Sequence, residues 1–285
     1  MENKYNIDRK IILNNGLEIP CIGIGTYQIR KKSEIENVIK IAYNTGYRLI
    51  DTAVVYGNEK LIGDALKKLK IPRNEIFIIT KIYKGDMTYE KAKKSIETSL
   101  KKLQSDYIDM VLIHWPEVEK SEDRIKVWKA LEESVEEKKV KMIGVSNFCK
   151  IHLEHILNNC KIKPVVNQIE CNPIYYDDEE TINYSEQNNI VIQAYCPLAE
   201  WNQKLVENDI IVNIAKNKNK SVSQIILKWL LQKNMIPLPK SVHENYIKQN
   251  FDLNGFYLTE EEMKNIDNLK SINYKTDLDP HNVPL

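Results

Sequence analysis

The sequence predicts an α/β fold, a (β/α)8 TIM barrel with an N-terminal β-hairpin cap and two extra helices. Three observations carry this. Short apolar, strand-like runs alternate with helix-period runs along the whole chain. Several of those runs end in a polar residue just before the next helix, as strands do at the active face of a parallel barrel. No Pro-rich, Gly-rich or low-complexity stretch interrupts the 285 residues, a length that suits one barrel of about 250 residues better than two small domains. Residues 1–285 are therefore expected to form a single domain.

The elements follow in order. Ile11-Ile-Leu, Asn-Asn-Gly, Leu-Glu-Ile reads as a hairpin with an Asn-Gly turn, placed to cap the bottom of the barrel. Cys21-Ile-Gly-Ile-Gly25 reads as a short first strand. Further strands are expected near 48–51, 76–81, 108–113, 140–145, 164–169, 190–195 and 235–238. Helical patterns fall near 33–45, 59–70, 89–104, 121–138, 150–159, 178–188, 221–233 and 243–250. Eight strands alternating with eight helices imply a closed parallel sheet. Two more helical segments, near 204–217 and 259–271, interrupt the repeat.

Composition narrows the function. Forty-one basic and 40 acidic residues give a net charge of +1, so no global field favours nucleic acid or a membrane surface. No apolar run approaches the length of a membrane span, and the opening residues carry no signal-peptide pattern. The five cysteines, at 21, 149, 160, 171 and 196, form no C-x-x-C pair, which fits reduced thiols. A cytoplasmic monomer is the expectation. Cys149, His152 and His155 share one helical face, with Cys160 a turn further. Zinc uses such ligands, but amphipathic helices carry polar residues at the same period, and no metal is expected.

Four residues point to chemistry. Asp51 closes the run Tyr47-Arg-Leu-Ile50, and Tyr56 lies in the turn after it. Lys81 closes Ile76-Phe-Ile-Ile-Thr80, and His114 closes Ile108-Asp-Met-Val-Leu-Ile113. A free phenol titrates near pH 10. A lysine ammonium beside it favours the phenolate and lowers that value, and a buried lysine needs an anion such as Asp51. The group would then be a general acid titrating near neutrality, with His114 orienting a substrate oxygen. Taken singly, each residue also reads as a member of a buried salt bridge or a packed core.

The motifs around these residues, Asp51-Thr-Ala-Val-Val-Tyr-Gly-Asn-Glu59, Ile79-Thr-Lys-Ile82, Leu112-Ile-His-Trp-Pro116, Gly144-Val-Ser-Asn-Phe148, Val166-Asn-Gln-Ile-Glu170 and Ile236-Pro-Leu-Pro-Lys-Ser241, occur in one order. From about Ile11 onward the chain closely resembles the aldo-keto reductases, NAD(P)H-dependent carbonyl reductases built on a (β/α)8 barrel. The resemblance implies Tyr56 as the acid, supported by Asp51, Lys81 and His114.

There is no G-x-G-x-x-G, so a Rossmann site gets no support. Ser146, Asn147 and Gln168 follow later strands and carry groups suited to a carboxamide. The resemblance assigns them to the nicotinamide amide and Tyr195 to stacking on its ring. It adds Gly25, Thr26, Asp51, Cys196, Leu198 and Val242 to the cofactor set. Lys240 and Ser241 precede a helix N-terminus, a natural phosphate site, which the resemblance assigns to the adenosine 2′-phosphate. Here the chain departs from the pattern: Tyr246 stands where NADPH-preferring members usually carry Arg, and His243 replaces a small residue. Tyr246 cannot pair bidentately with phosphate. NADPH is expected through Lys240, with NADH possible, and Gln249 and Asn250 match adenine-contacting positions.

Tyr27, Val55, Tyr56, Tyr83, His114 and Trp115, with Trp201 nearby, are expected to wall an aromatic substrate pocket. Short loops after Trp115 and a short tail after Ser271 predict an open, permissive mouth for a small carbonyl. Two other classes stay open: a cofactor-binding regulatory subunit of the same fold, and a barrel isomerase using Lys and His.

Overall fold

The computed structural model describes residues 5–176 and 179–285. The chain opens with an antiparallel hairpin, β1 (Lys10–Ile12) and β2 (Glu18–Pro20), with Ile11 opposite Ile19. Its loop turns on Gly16 at φ +80°, whose N–H donates to Leu13 O at 2.9 Å. Left-handed backbone costs Gly nothing, which is why the Asn-Gly signal works.

The chain then alternates through β3 (Ile24–Gly25), α1 (Lys32–Thr45), β4 (Leu49–Asp51), α2 (Glu59–Lys68), β5 (Phe77–Ile82) and α3 (Tyr89–Leu103). Next come β6 (Ile108–Ile113), α4 (Ser121–Glu136), β7 (Val140–Ser146), α5 (Lys150–Leu157) and β8 (Val166–Asn172). A two-residue strand, β9 (Tyr175–Tyr176), folds back antiparallel on β8. The rest is α6 (Glu179–Gln187), β10 (Val191–Tyr195), α7 (Gln203–Val206), α8 (Asp209–Lys218), α9 (Val222–Gln232), β11 (Ile236–Pro237), α10 (Glu244–Phe251) and α11 (Glu260–Asp267). Strands β3, β4, β5, β6, β7, β8, β10 and β11 pair in parallel in chain order. Gly23 N–H to Pro237 O (3.1 Å) and Gly25 N–H to Pro239 O (2.9 Å) close the ring. This is the expected (β/α)8 barrel.

Side chains alternate faces along a strand, and that alternation builds the site. One face of β4, β5, β6 and β7 supplies Leu49, Phe77, Ile79, Met110, Leu112 and Met142 to the barrel interior, where Leu13 and Ile19 of the hairpin plug the lower end. The other face, including Ile50, Ile78, Val111 and Ile143, packs outward against the helices. Two residues beyond the last apolar inward position stand Asp51, Lys81, His114 and Gln168, and on β10 Tyr195 stands two beyond the inward Gln193. A period of two therefore delivers all five to the upper interior.

Three expectations need correcting. The helix expected over 204–217 is split into α7 and α8, because Asn208 leaves the helix and accepts from Ile210 N–H at 3.1 Å, capping the second piece. The pattern over 259–271 stays α-helical only to Asp267 and finishes as a 3₁₀ turn through Ile272. The expected first strand from Cys21 pairs as a strand only at Ile24–Gly25. Residue 178, the expected start of one helix, lies outside the described residues.

Among the described residues no three His, Cys, Asp or Glu converge as metal ligands do. Cys149 and His152 instead form a capping box at the start of α5, with Cys149 N–H donating to His152 Nδ1 at 3.2 Å. Nε2 of His152 then donates to Val283 O at 2.9 Å. Burial, followed by Arg124 among the opposing charges, holds His152 down to about 4. In the unfolded chain it would titrate near 6.5. The unfolded state thus binds the extra proton between those values, and stability falls as pH drops through this window. The melting temperature should decline from pH 6.5 to 4. His152→Gln, which keeps a capping acceptor without a titrating group, should flatten that decline in thermal melts taken across the range.

Candidate active site

Lys81 lies at the centre of the upper layer and is 1% exposed. Its ammonium donates to Asp51 Oδ1 and Oδ2 at 2.7 and 2.8 Å, to Thr52 O at 3.0 Å and to Tyr56 OH at 3.3 Å. Gln168 Nε2 donates to Asp51 Oδ2 at 2.9 Å. A buried ion pair is tolerated when its remaining lone pairs and protons are satisfied, and here both partners are. Tyr56 sits in a 3₁₀ turn, residues 54–56, closed by Gly57 at φ +71°. Asn58 pins that turn: it accepts from Thr52 Oγ1 at 2.6 Å and donates to Thr26 O and Ile29 O at 2.9 and 3.1 Å. His114 packs edge-on to Tyr56 with ring centroids 5.9 Å apart.

The structure thus brings the four sequence-predicted residues together, but it corrects their electrostatics. Burial first, and then the charge of Asp51, push the Tyr56 phenol well above its ordinary value. The expected depression toward neutrality is absent. The reason is geometric: Lys81 faces two carboxylate oxygens more closely than it faces the phenol, so Asp51 absorbs most of its field. Burial also lowers Lys81, with Asp51 opposing. His114 is pushed down to about 3 by burial and by Lys81, so its imidazole is neutral. Its Nδ1 is buried without a hydrogen-bond partner, which leaves Nε2 to meet a ligand.

The expected nicotinamide residues form one connected network. Ser146 Oγ donates to Gln168 O at 2.9 Å, Asn147 Nδ2 to His114 O at 3.0 Å, and Tyr195 OH to Asn147 Oδ1 at 2.8 Å. Asn147 holds a left-handed φ of +60°, which Asn tolerates. The bond to Asn147 fixes the Tyr195 ring. Spare acceptor capacity at Asn147 and Gln168 suits an amide NH2. Thr26 Oγ1 donates to Asp51 O at 2.8 Å. A Cβ on Gly25 would lie 3.1 Å from Leu238 O and 3.6 Å from Lys240 Cβ, so only Gly fits the seam comfortably. Cys196 has φ +45°, and Ala199, Glu200 and Trp201 are consecutively left-handed at +46°, +53° and +65°. That strained stretch lies directly after β10 and Leu198, where sites store such strain.

At the other end of the groove Ser241 Oγ accepts from His243 N–H at 3.1 Å, and α10 starts at Glu244. Lys240 is exposed and makes no ion pair among the described residues. Tyr246 is 57% exposed and meets His243 edge-on. Glu244, at the first position of α10, is paired with Lys248 at 2.6 Å. Asn250 is buried, and Gln249 Oε1 accepts from Ser223 Oγ at 3.4 Å. Val242 is half-buried beside them.

Tyr27, Val55 and Trp201 are exposed, and Tyr27 lies 5.0 Å from the Tyr56 ring. Tyr83 flanks His114 at 6.1 Å. Trp115 is buried, only 9% exposed, and offers a substrate less surface than expected. The tail is tied down at two points. Buried Glu170, at the top of β8, accepts from Thr276 N–H and Oγ1 and pairs with Lys275. Buried Arg124 donates to Pro116 O and Pro284 O.

Sequence reasoning missed Asn58, Gln193 and Glu170 as individual residues. Gln193 Oε1 accepts from Gln168 Nε2 at 3.1 Å. The alternation Val191, Gln193, Tyr195 was the signal for it. Asn58 and Glu170 sat inside motifs, but their partners are distant in sequence.

A family model described as Aldo/keto reductase family matches residues 21–271. The chain belongs to the aldo-keto reductase family. It is 40% identical to a glyoxal reductase of Bacillus subtilis (strain 168), over 90% of this chain and 91% of that one. The crystal structure of an aldo-keto reductase enzyme from a Medee basin deep-sea metagenome library superposes with a TM-score of 0.90 at 40% identity, covering 97% of this chain and all of that one. A Bombyx mori aldo-keto reductase solved in complex with NADP gives 0.86 at 31% identity, over 94% of each chain.

Removing one partner of a buried pair typically costs roughly 3–5 kcal/mol. Lys81→Met should lower unfolding free energy by about that much in denaturant titrations, since Asp51 is left unpaired. Asn58→Ala leaves the Thr52 hydroxyl and Ile29 O without their partner, while Thr26 O keeps the Ile29 N–H, and should cost roughly 1–3 kcal/mol, measured in the same way.

Proposed function

We propose that this chain reduces small aldehydes and ketones to alcohols with NADPH, Tyr56 acting as general acid. The carrying observation is the Lys81 ammonium shared between Asp51 and the Tyr56 hydroxyl, with a neutral His114 beside it. Membership of an oxidoreductase family and similarity to a glyoxal reductase support the substrate class. Tyr195, Asn147 and Gln168 would hold a reduced nicotinamide, which would supply the two electrons of the reduction as a hydride to the carbonyl carbon. Tyr56 gives its proton to the carbonyl oxygen, so an alcohol and oxidised cofactor form and the phenolate takes its proton back from water. His114 Nε2–H holds the carbonyl oxygen in place and stabilises its developing charge.

The raised Tyr56 value suits this role in one respect. The proton donor is fully loaded at neutral pH, and an alkoxide is basic enough to take the proton. As charge grows on the substrate oxygen, the Lys81 ammonium stabilises the phenolate left behind. Reduction should accordingly be flat with pH through neutrality and fall only in the alkaline range.

We also assign Lys240 and Ser241 to the 2′-phosphate. An exposed lysine at a helix start supports NADPH, whereas Tyr246 supplies no charge-assisted bond and leaves NADH usable. We place the whole of residues 1–285 in one domain and the protein in the cytoplasm as a monomer. No described helix is long and apolar enough to cross a membrane.

Tyr56→Phe should lower kcat by roughly 10²–10⁴-fold while NADPH still quenches protein fluorescence with near-normal Kd. Near-normal turnover would overturn the mechanism. In the wild-type protein, failure to bind NADPH at all would instead favour an isomerase, and binding without turnover of any carbonyl would favour a regulatory subunit. Tyr246→Arg should tighten NADPH alone, and Lys240→Ala should bring the two cofactors' dissociation constants together. Equal weakening of both by Lys240→Ala would remove Lys240 from the 2′-phosphate site.

A further inference from the structure

The tail does more than end the chain. Glu170 and Tyr195 are Cα partners at the upper ends of adjacent strands. Onto Glu170 dock three consecutive tail residues. Lys275 Nζ lies 3.2 Å from Oε2, Thr276 N–H and Oγ1 reach Oε1 at 2.8 and 2.7 Å, and Asp277 N–H reaches Oε2 at 3.3 Å. Thr276 also hydrogen-bonds the Cys196 thiol. This ties the Asp277 backbone to Glu170, the strand neighbour of Tyr195, at the upper face of the barrel. The Asp277 side chain is exposed, accepts only from Leu278 N–H at 2.7 Å and has no ion-pair partner among the described residues.

Three of the ion pairs on this face are internally neutralised. Asp51 pairs with Lys81, Glu170 with Lys275, and Lys84 with Glu117. Glu200, on the left-handed turn after β10, is exposed and acidic as well. Asp277 and Glu200 are thus exposed carboxylates without an ion-pair partner among the described residues. The field of Asp277 reaches the reacting groups, since Asp277 is among the charges that raise Tyr56, Tyr195 and Cys196.

We propose that Asp277, held over the mouth by the docked tail, is a specificity determinant that disfavours anionic carbonyl substrates, such as keto acids and carboxylated aldehydes, relative to neutral ones. Rejection by like charge is a repulsive device, separate from the attractive contacts that bind a substrate. The inference rests on the carbonyl-reductase reading.

The test compares benzaldehyde with 4-carboxybenzaldehyde, using the full chain with NADPH. The ratio of kcat/KM for the anionic over the neutral aldehyde is taken within each variant, so the ring's intrinsic reactivity cancels. Asp277→Asn should raise that ratio about three- to tenfold, the effect of one charge at several ångströms in a partly solvated site. Asp277→Lys should raise it further. In the wild type the ratio should climb with ionic strength, as screened repulsion does, and Asp277→Asn should flatten the climb. A loosened tail would move both substrates together. An unchanged ratio in both variants overturns the proposal, as does a shift insensitive to salt. If the wild type turns over neither aldehyde, the missing benzaldehyde signal shows that the reductase reading itself has failed, and the inference falls with it.

Discussion

A lysine ammonium with no exposed surface to speak of, gripped by both oxygens of a neighbouring carboxylate, organises this molecule. Neither charge survives burial alone. Asp51 and Lys81 therefore enforce one another's position, and everything that touches either is fixed in turn. Gln168 is oriented by Asp51, Gln193 by Gln168, and Tyr56 by Lys81. The same pairing also limits the chemistry. A lysine so well neutralised does little to acidify a resting phenol, and its influence on Tyr56 matters most when a negative charge appears there.

The barrel separates stability from chemistry by height. Its lower interior is filled by Leu, Ile, Phe and Met side chains and stoppered by the hairpin. One step higher the inward positions switch to polar groups. Each of these is costly to bury without a partner, and most find one in the layer itself. The exceptions are His114 Nδ1, Asn167 Oδ1 and Gln193 Nε2. Two of these belong to inward residues of the active face, where an incomplete network is the ordinary mark of a surface that expects a ligand.

The sequence made the barrel and the four central residues legible because both depend on local pattern. Strand ends and the period of two locate Asp51, Lys81 and His114 without knowledge of any distant contact. Glu170 and Asn58 were not legible in the same way. The first is satisfied by residues 275–277, the second by backbone at 26 and 29. Neither partner is implied by spacing. The direction of the Tyr56 shift was misjudged for a related reason. Charge proximity can be guessed from motifs, but burial and the sharing of one ammonium among three acceptors are tertiary facts. The break between α7 and α8 turned on which role Asn208 plays, since Asn suits a cap as well as an exposed helical position.

The closure of the ring carries a consequence of its own. Pro237 and Pro239 have no N–H to give. The two bonds across the seam therefore run one way only, from Gly23 and Gly25 to the proline carbonyls. This is the joint between the first strand and the last, so it must form between regions nearly a chain length apart, a slow step by topology. It is also a thinly stitched joint, held by two bonds. Gly25 lies on one side of it and Lys240 on the other, with the Lys240 Cβ 3.6 Å from where a Cβ on Gly25 would stand. A dinucleotide lying across both would act as a clasp on the barrel. Its release would open the seam amides to solvent exchange, making cofactor occupancy and mechanical closure of the fold two readings of one event.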